Sequence, residues 1–329
     1  MTIASEITRI NNNITSAYTA CNGKGATMPQ TQNSANLATC ISSIPVGSSG
    51  INREVVNGVY QAPNSNFTFT LPTGATDVGA FAMAYAFNEC TKVTAADLSS
   101  LTSISNTNAL YYAFNGCTRL ESLNLSSLTS VTGTNALYNA FQNCKLTSLN
   151  LSSLTNVSGS HAMYSAFDSN AYLTSVDLSG LVSVQGIDVL YRAIRNCSSL
   201  TTVKFDNLEV IGSSTTADRR QFGGCFGSCR NLTSITFPKL KEIYCSYNNA
   251  NQGTFSNNDR LEKLYFPKLD TISYVNTGSN MDVASKNIFN SCTALTEIHF
   301  GAANQAAIQA TGGYATNWGA TNATVYFDL

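Results

Sequence analysis

The chain has 329 residues with 43% apolar content, and its 18 basic and 19 acidic side chains leave a net charge of −1. That balance argues against a sequence-independent grip on nucleic acid or anionic membrane. Charged residues make up only 11% of the chain, against a usual quarter, and no apolar run approaches the roughly 20 residues of a bilayer span.

In chain order, Ile3, Ile7, Ile10, Ile14, Ala17 and Cys21 step by 4, 3, 4, 3 and 4, the a/d seam of a helix over 3–21. Two packings follow. The seam mediates a homo-oligomer, or it folds back on a second helix, 34–44, in which Leu37, Ile41 and Ile44 face inward. Residues 1–45 thus form a small N-terminal α-helical hairpin or coiled-coil module. Glu6 and three Asn inside the first helix do not fit a secretory signal. Pro45 and Gly47 break the chain, and 46–66 reads as a linker.

Ile7, Ile10, Ile14, Lys24, Gly25, Pro29, Leu37, Ile41 and Ile44 make this head similar to a short N-terminal module of phage tail and tail-fibre proteins. Cys21 and Cys40 stand where such modules usually carry Ala. The resemblance implies docking to virion tail or baseplate proteins.

Residues 67–71 alternate and are stopped by Pro72 and Gly74, an N-terminal cap strand. A repeat follows. Phe87, Phe114, Phe141, Phe167, Ile194, Phe226, Phe255 and Phe289 recur at spacings of 27, 27, 26, 27, 32, 29 and 34. Three residues after each stands Cys90, Cys117, Cys144, Asn170, Cys197, Cys229, Asn258 or Cys292. Then come a Leu or Val and an alternating pair such as Leu123 and Leu125. Alternation of period two is a strand with one buried face, and stacking such coils pairs the strands in parallel. The segment with Leu110, Ala113 and Phe114 at i, i+3 and i+4 reads as a short helical turn. The fold class is therefore a leucine-rich-repeat solenoid of about eight coils over 67–300, closed by a C-terminal cap at 301–329. The units resemble the BspA-type leucine-rich repeat of bacterial surface and phage proteins, which implies the fold more than any one partner.

Six of ten cysteines fall in one column and read as free buried thiols rather than disulfides. Cys225, Cys229 and Cys245 are a weaker candidate for zinc, lacking a second CxxC or a His nearby. Tyr111, Tyr138, Tyr164 and Tyr191 form a ladder that either binds a ligand or stacks on itself. The outward strand column, Asp97, Asn124, Asn150, Asp177, Lys204, Thr236, Tyr265 and His299, is either a recognition face or a solvated one. Inserts at 212–221, 244–254 and 273–286 all fall between the last inward Ile and the next Phe. They stack on one edge, and Arg219, Arg220, Tyr244, Tyr247, Asn248, Asn249, Tyr274 and Asn276 there suit a contact surface. In the tail, a short helix holds Ile308, and Val325, Phe327 and Leu329 alternate inward as a last strand. That end resembles the closing segment of leucine-rich phage tail proteins.

No phosphate loop, HExxH or GxSxG occurs. The chain offers two His, His161 and His299, and no base beside a nucleophile. Asp97 and Glu121 could approach glycosidase spacing across coils, but nothing shields them from water. The expectation is therefore a non-enzyme with no cofactor or metal. Its partner would be a host-cell surface receptor, either a sugar or a protein. The sequence points first to a virion tail protein released by lysis, and otherwise to a bacterial cell-surface adhesin.

Overall fold

A computed structural model describes residues 66–71, 73–213, 221–245, 255–274, 288–311 and 313–329. It also describes the backbone alone of 54–56 and 59–61, and Cys245 and Tyr274 are described in backbone only. The head 1–45, with its expected helices and its seam at 3–21, lies outside the described residues. Within the stretch read as a linker, Glu54–Val56 and Val59–Gln61 pair as an antiparallel hairpin.

From residue 67 the chain winds as a solenoid whose coils each contribute a first strand, a second strand and a run of tight turns. The first strands hold the Leu-x-Leu alternation and pair in parallel in three blocks. Phe67–Thr70, Val93–Asp97 and Ser122–Asn124 form one; Ser148–Asn150, Ser175–Asp177 and Thr202–Lys204 form the next. Ser234–Thr236, Lys263–Phe266, Glu297–Phe300 and Thr324–Phe327 form the last. The ladder breaks where coil length changes: first where Leu146 follows Cys144 by two residues instead of three, then at the 32-residue coil. The second strands, from Ser103–Ile104 to Thr271–Tyr274, make one continuous seven-stranded parallel ladder. Val131, Val157, Val184 and Ile211 project from it into the core.

The third side corrects the expectation of helical turns. Within it alternate N–H groups close turns onto the carbonyl three residues back, as Ala113 does onto Leu110. The intervening N–H groups bond the following coil, as Phe114 does to Ala140. Every fourth residue is left-handed: Asn108, Tyr112 and Gly116; Asn135, Asn139 and Asn143; His161, Ser165 and Ser169. Asn, Gly and Ser dominate because they reach that region most cheaply. The inward pattern is consequently Ala109–Leu110, Ala113–Phe114, then Cys117. A period of four over two turns places Leu110, Ala113 and Phe114 where a period of 3.6 would also place them, so those residues cannot tell ribbon from helix.

Phe side chains stack through the core. Phe114 lies 5.3 Å from Phe141, and Phe141 5.4 Å from Phe167, with nearly parallel rings. A second column runs Phe205, Phe237, Phe266, Phe300 and Phe327 at 5.1–5.8 Å. One register differs from the sequence alignment: Phe255 stacks on Phe222, 5.3 Å away, and not on Phe226. Phe222 and Phe226 are four residues apart and both inward, so the ribbon slips by one turn unit without exposing its apolar face.

The Cys/Asn column does what its type requires. The thiols of Cys117, Cys144, Cys229 and Cys292 point to the carbonyls of Phe87, Phe114, Ile194 and Phe255 in the preceding coil, at 3.0–3.2 Å. Asn170 donates to Phe141 and Phe167, both at 2.9 Å, and Asn258 to Phe255 at 2.7 Å. Cys90, Cys117, Cys144, Cys197, Cys225, Cys229 and Cys292 are free and buried, and burial pushes the Cys117 and Cys292 thiols up to about 12. Corners between second strand and ribbon bring backbones together: a Cβ on Gly159 would fall on the carbonyl oxygens of Thr132 and Gly133, well inside van der Waals contact.

At the end of the chain, helix Gln305–Gln309 buries Ile308, and Trp318 is fully buried against Phe289 and Phe300. The helix stops at Gln309. Thr324–Phe327 closes the sheet with Val325 and Phe327 packed on the core. Leu329 is exposed, which corrects its expected inward position: it lies past the last strand, where its N–H reaches Phe300 and its carbonyl takes the N–H of Ala302.

Candidate functional site

The ribbon's period sets its outer surface. Each inward pair is followed by an outward pair, so Tyr111 and Tyr112 follow Leu110, and Tyr138 follows Leu137. Tyr85, Tyr111, Tyr112, Tyr138, Tyr164 and Tyr191 thereby line up across five coils. Centroids are 5.2 Å apart for Tyr111–Tyr138, 4.6 Å for Tyr138–Tyr164 and 5.1 Å for Tyr164–Tyr191. Tyr85 and Tyr112 form a parallel rung beside them at 5.3 Å. Most are half-buried, with ring faces covered by one another and edges left outward. Burial first, then the neighbouring phenols, push the Tyr138 hydroxyl up to about 12, so it is a proton donor throughout the physiological range. Arg192 lies over Tyr191 at 4.9 Å, and His161 stands 5.8 Å from Tyr164 and 3.5 Å from the buried Asp188 carboxylate.

Four members of the outward strand column also hold the backbone at the strand end. The Oδ1 atoms of Asp97, Asn124, Asn150 and Asp177 each accept the N–H two residues on, at Ser99, Ser126, Ser152 and Ser179. These are Asx turns that end the strand. Further along the column, Lys204 is exposed beside Asp177, in a different block from Tyr265 and His299. Tyr265 and His299 are brought together at 4.7 Å, and Tyr326 covers the other face of His299 at 4.7 Å. His299 is buried rather than solvent-facing, because its two neighbours sandwich it. Its Nδ1 lies 2.9 Å from Asp328 and its Nε2 3.1 Å from Glu297. Lys263 completes the chain at 3.0 Å from Glu297, and its hydrogen bond, then that of His299, holds the Glu297 carboxyl below the usual range.

Of the insert residues, Arg219, Arg220, Tyr247, Asn248, Asn249 and Asn276 lie outside the described residues, and Tyr274 is described in backbone only. Tyr244 is half-buried on the second-strand side, and its hydroxyl is raised by burial and by Glu242. The strands from which the inserts depart, Val210–Ile211, Glu242–Cys245 and Thr271–Tyr274, are neighbours in register. Tyr244 therefore sits on a different side from Tyr265 and His299. Sequence reasoning passed over Tyr85, Tyr112 and Tyr326. Tyr326 had a signal: it follows inward Val325 as His299 follows Ile298. Among the described residues no group of three metal-binding side chains converges, and no helix is long and apolar enough to cross a membrane.

The family model for the BspA type Leucine rich repeat region matches residues 83–222 and 223–311, in six copies. No curated protein matches the chain. Among solved structures, a leucine-rich repeat protein from Eubacterium ventriosum is 14% identical, covering 79% of this chain and 72% of its own, with a TM-score of 0.31. A leucine rich cell surface protein from Faecalibacterium prausnitzii is 12% identical, covering 80% and 88%, with a TM-score of 0.19. An internalin from Listeria monocytogenes is 14% identical, covering 70% and 81%, with a TM-score of 0.17.

Proposed function

The chain belongs to the BspA-type leucine-rich-repeat family, and we propose that it is a non-enzymatic recognition protein of the bacterial cell surface. Its contact surface is the outer side of the turn ribbon. The observation that carries this reading is the tyrosine ladder: six aromatic side chains aligned over five coils on the outer side of the ribbon. A rigid row of phenols gives contact area at low conformational cost and a line of hydrogen-bonding groups. Stability alone does not require it, since the ladder lies outside the Phe columns that fill the core. The tail-protein reading rests on residues 1–45, the repeat and the closing segment together, and the family match to the repeat says nothing of a virion.

The test uses the labelled full-length chain on intact bacterial cells and on coats of extracellular-matrix protein. Replacing Tyr111, Tyr138 and Tyr164 together by Ser is expected to abolish retention on whichever surface the native chain binds. Replacing 244–249 by Gly and Ser is the comparison. If that second variant loses binding and the tyrosine variant keeps it, the insert edge is the contact surface and the ladder is not.

A further inference from the structure

The backbone–backbone hydrogen bonds between ribbon coils all run one way. In the first coil the N–H groups of Phe81, Met83, Tyr85, Phe87 and Glu89 donate to the carbonyls of Thr107, Ala109, Tyr111, Ala113 and Asn115. The same direction holds at every later join, ending with Phe289 donating to Trp318. A parallel β-sheet exchanges donors and acceptors at each join, but this ribbon does not. Its peptide dipoles therefore add along the stacking direction, with the carbonyl end at the first coil, much as aligned peptides add in a helix.

Among the described residues, the first coil is left with the acceptor row and no donor to meet it. The carbonyls of Ala82, Ala84, Ala86 and Asn88 occupy the places that Ala109, Tyr111, Ala113 and Asn115 hold one coil later, and nothing among the described residues bonds them. The other two sides are covered at this end. Phe67–Thr70 pairs with Val93–Asp97, and the Thr76 carbonyl takes the N–H groups of Thr102 and Ser103.

What could pair with such an edge is limited by its polarity. An ordinary β-strand brings carbonyls as well as N–H groups, so half of its groups would meet acceptors. A second copy, edge to edge, would set carbonyl against carbonyl. The occupant must bring donors without acceptors, which is the property of Arg and Lys side chains.

The side chains on this coil fit the same occupant. The three left-handed positions carry Phe81, Tyr85 and Glu89, at φ 57°, 56° and 57°. At the first of these positions later coils carry Asn108, Asn135, His161 and Asp188, which tolerate that backbone better than a bulky aromatic. Phe81 is 62% exposed and Tyr85 56%, the former the most exposed large apolar side chain described. Tyr85 stacks on Tyr112 of the following coil, which leaves its other face toward the open edge. Open aromatic faces beside an exposed carboxylate attract a cation.

We propose that this N-terminal edge of the ribbon, formed by the Ala82–Ala84–Ala86 carbonyls with Phe81, Tyr85 and Glu89, binds an arginine- or lysine-bearing peptide segment of a partner protein. Fluorescence anisotropy of a labelled hexa-arginine peptide against the full chain tests it, with hexa-glutamate as control. Saturable binding of the arginine peptide that weakens with salt is expected, and none of the glutamate peptide. Two variants locate the site at exposed positions: Phe81→Ser with Tyr85→Ser, and separately Ala82→Lys, which sets a fixed ammonium on the edge. Each should weaken binding at least tenfold while leaving the thermal midpoint near that of the native chain. Absence of binding, or undiminished binding in both folded variants, overturns the proposal.

Discussion

Asn170 is the place to test whether the Cys/Asn column is chosen by hydrogen-bonding capacity. The preceding coil is one residue short, so Leu146 cannot close its turn as Leu120 does on the Cys117 carbonyl. The Oδ1 of Asn170 accepts the Leu146 N–H instead, at 3.2 Å, while Nδ2 donates to Phe141 and Phe167. Among the described residues, the Phe141 carbonyl and Leu146 N–H have no other partner. Asn170→Ala leaves both buried and unpaired, at about 1–3 kcal/mol each, and also loses the bond to Phe167, worth about 1 kcal/mol. The expected loss is about 3–7 kcal/mol. Asn170→Cys should be milder. Its thiol can serve the Phe141 carbonyl as Cys144 serves Phe114, which leaves one orphan and about 1–3 kcal/mol. Guanidinium titration of the full chain reads both values, provided the slope is unchanged, since repeat arrays can lose cooperativity. Hydrogen exchange at Leu146 gives the local check, with exchange accelerated in both variants. Equal losses for Ala and Cys, or an Ala variant within 1 kcal/mol of the native chain, would refute the reasoning.

Phe141→Ala opens a void in a ring stack that touches Phe114 and Phe167, with an expected loss of about 3–5 kcal/mol by denaturant titration. Gly159→Ala sets a methyl on the Thr132 and Gly133 carbonyl oxygens and should destabilise by about 1–3 kcal/mol in the same assay, as overpacking does. Alkaline pH should destabilise the fold through its thiols. Burial raises Cys117 and Cys292 from an ordinary 9.0 to about 12, so the folded chain holds those protons where the unfolded chain releases them. Their contribution is complete below pH 9 and is lost as pH climbs toward 12, at up to about 1.4 kcal/mol per thiol per pH unit. Thermal midpoints between pH 7 and 11 should fall above 9, and Cys117→Ala should make that fall shallower.

The coil stacking was legible because every inward column repeats in register, and the rings of Phe87, Phe114, Phe141 and Phe167 do meet. The turn ribbon was misread for a physical reason. An apolar period of four and one of 3.6 agree over the short span of Leu110, Ala113 and Phe114. What distinguishes them is the outward left-handed column, Asn108, Asn135, Asn139 and Asn143 among others, a set of residue types that a helix would disfavour. The candidate site was legible only in part. Four of the six ladder tyrosines were visible, because the column was followed at one position per coil while the ribbon offers two. The Asx role of Asp97 and Asn124 could also have been read, since each is followed two residues on by Ser at a strand end.

The same period of four explains where the solenoid is allowed to be irregular. A helix that gains or loses residues rotates its apolar face away from the core, but a ribbon of four-residue turns returns to the same facing after each unit. Phe255 can thus stack on Phe222 rather than Phe226 with no apolar side chain turned outward. The slip still strands two N–H groups, at Phe226 and Ser228, which the Oδ1 atoms of Asn258 and Asp259 accept at 2.8 and 2.6 Å. Asn170 does the equivalent for Leu146 after the one-residue deletion. Cys supplies a donor for the carbonyl of the coil before it and suffices where the join is regular. Asn supplies a donor and an acceptor, and at Asn170 and Asn258 the acceptor takes a backbone N–H of the preceding coil. Coil length can therefore vary, as at the 32-residue coil, while the apolar positions of the ribbon stay turned inward.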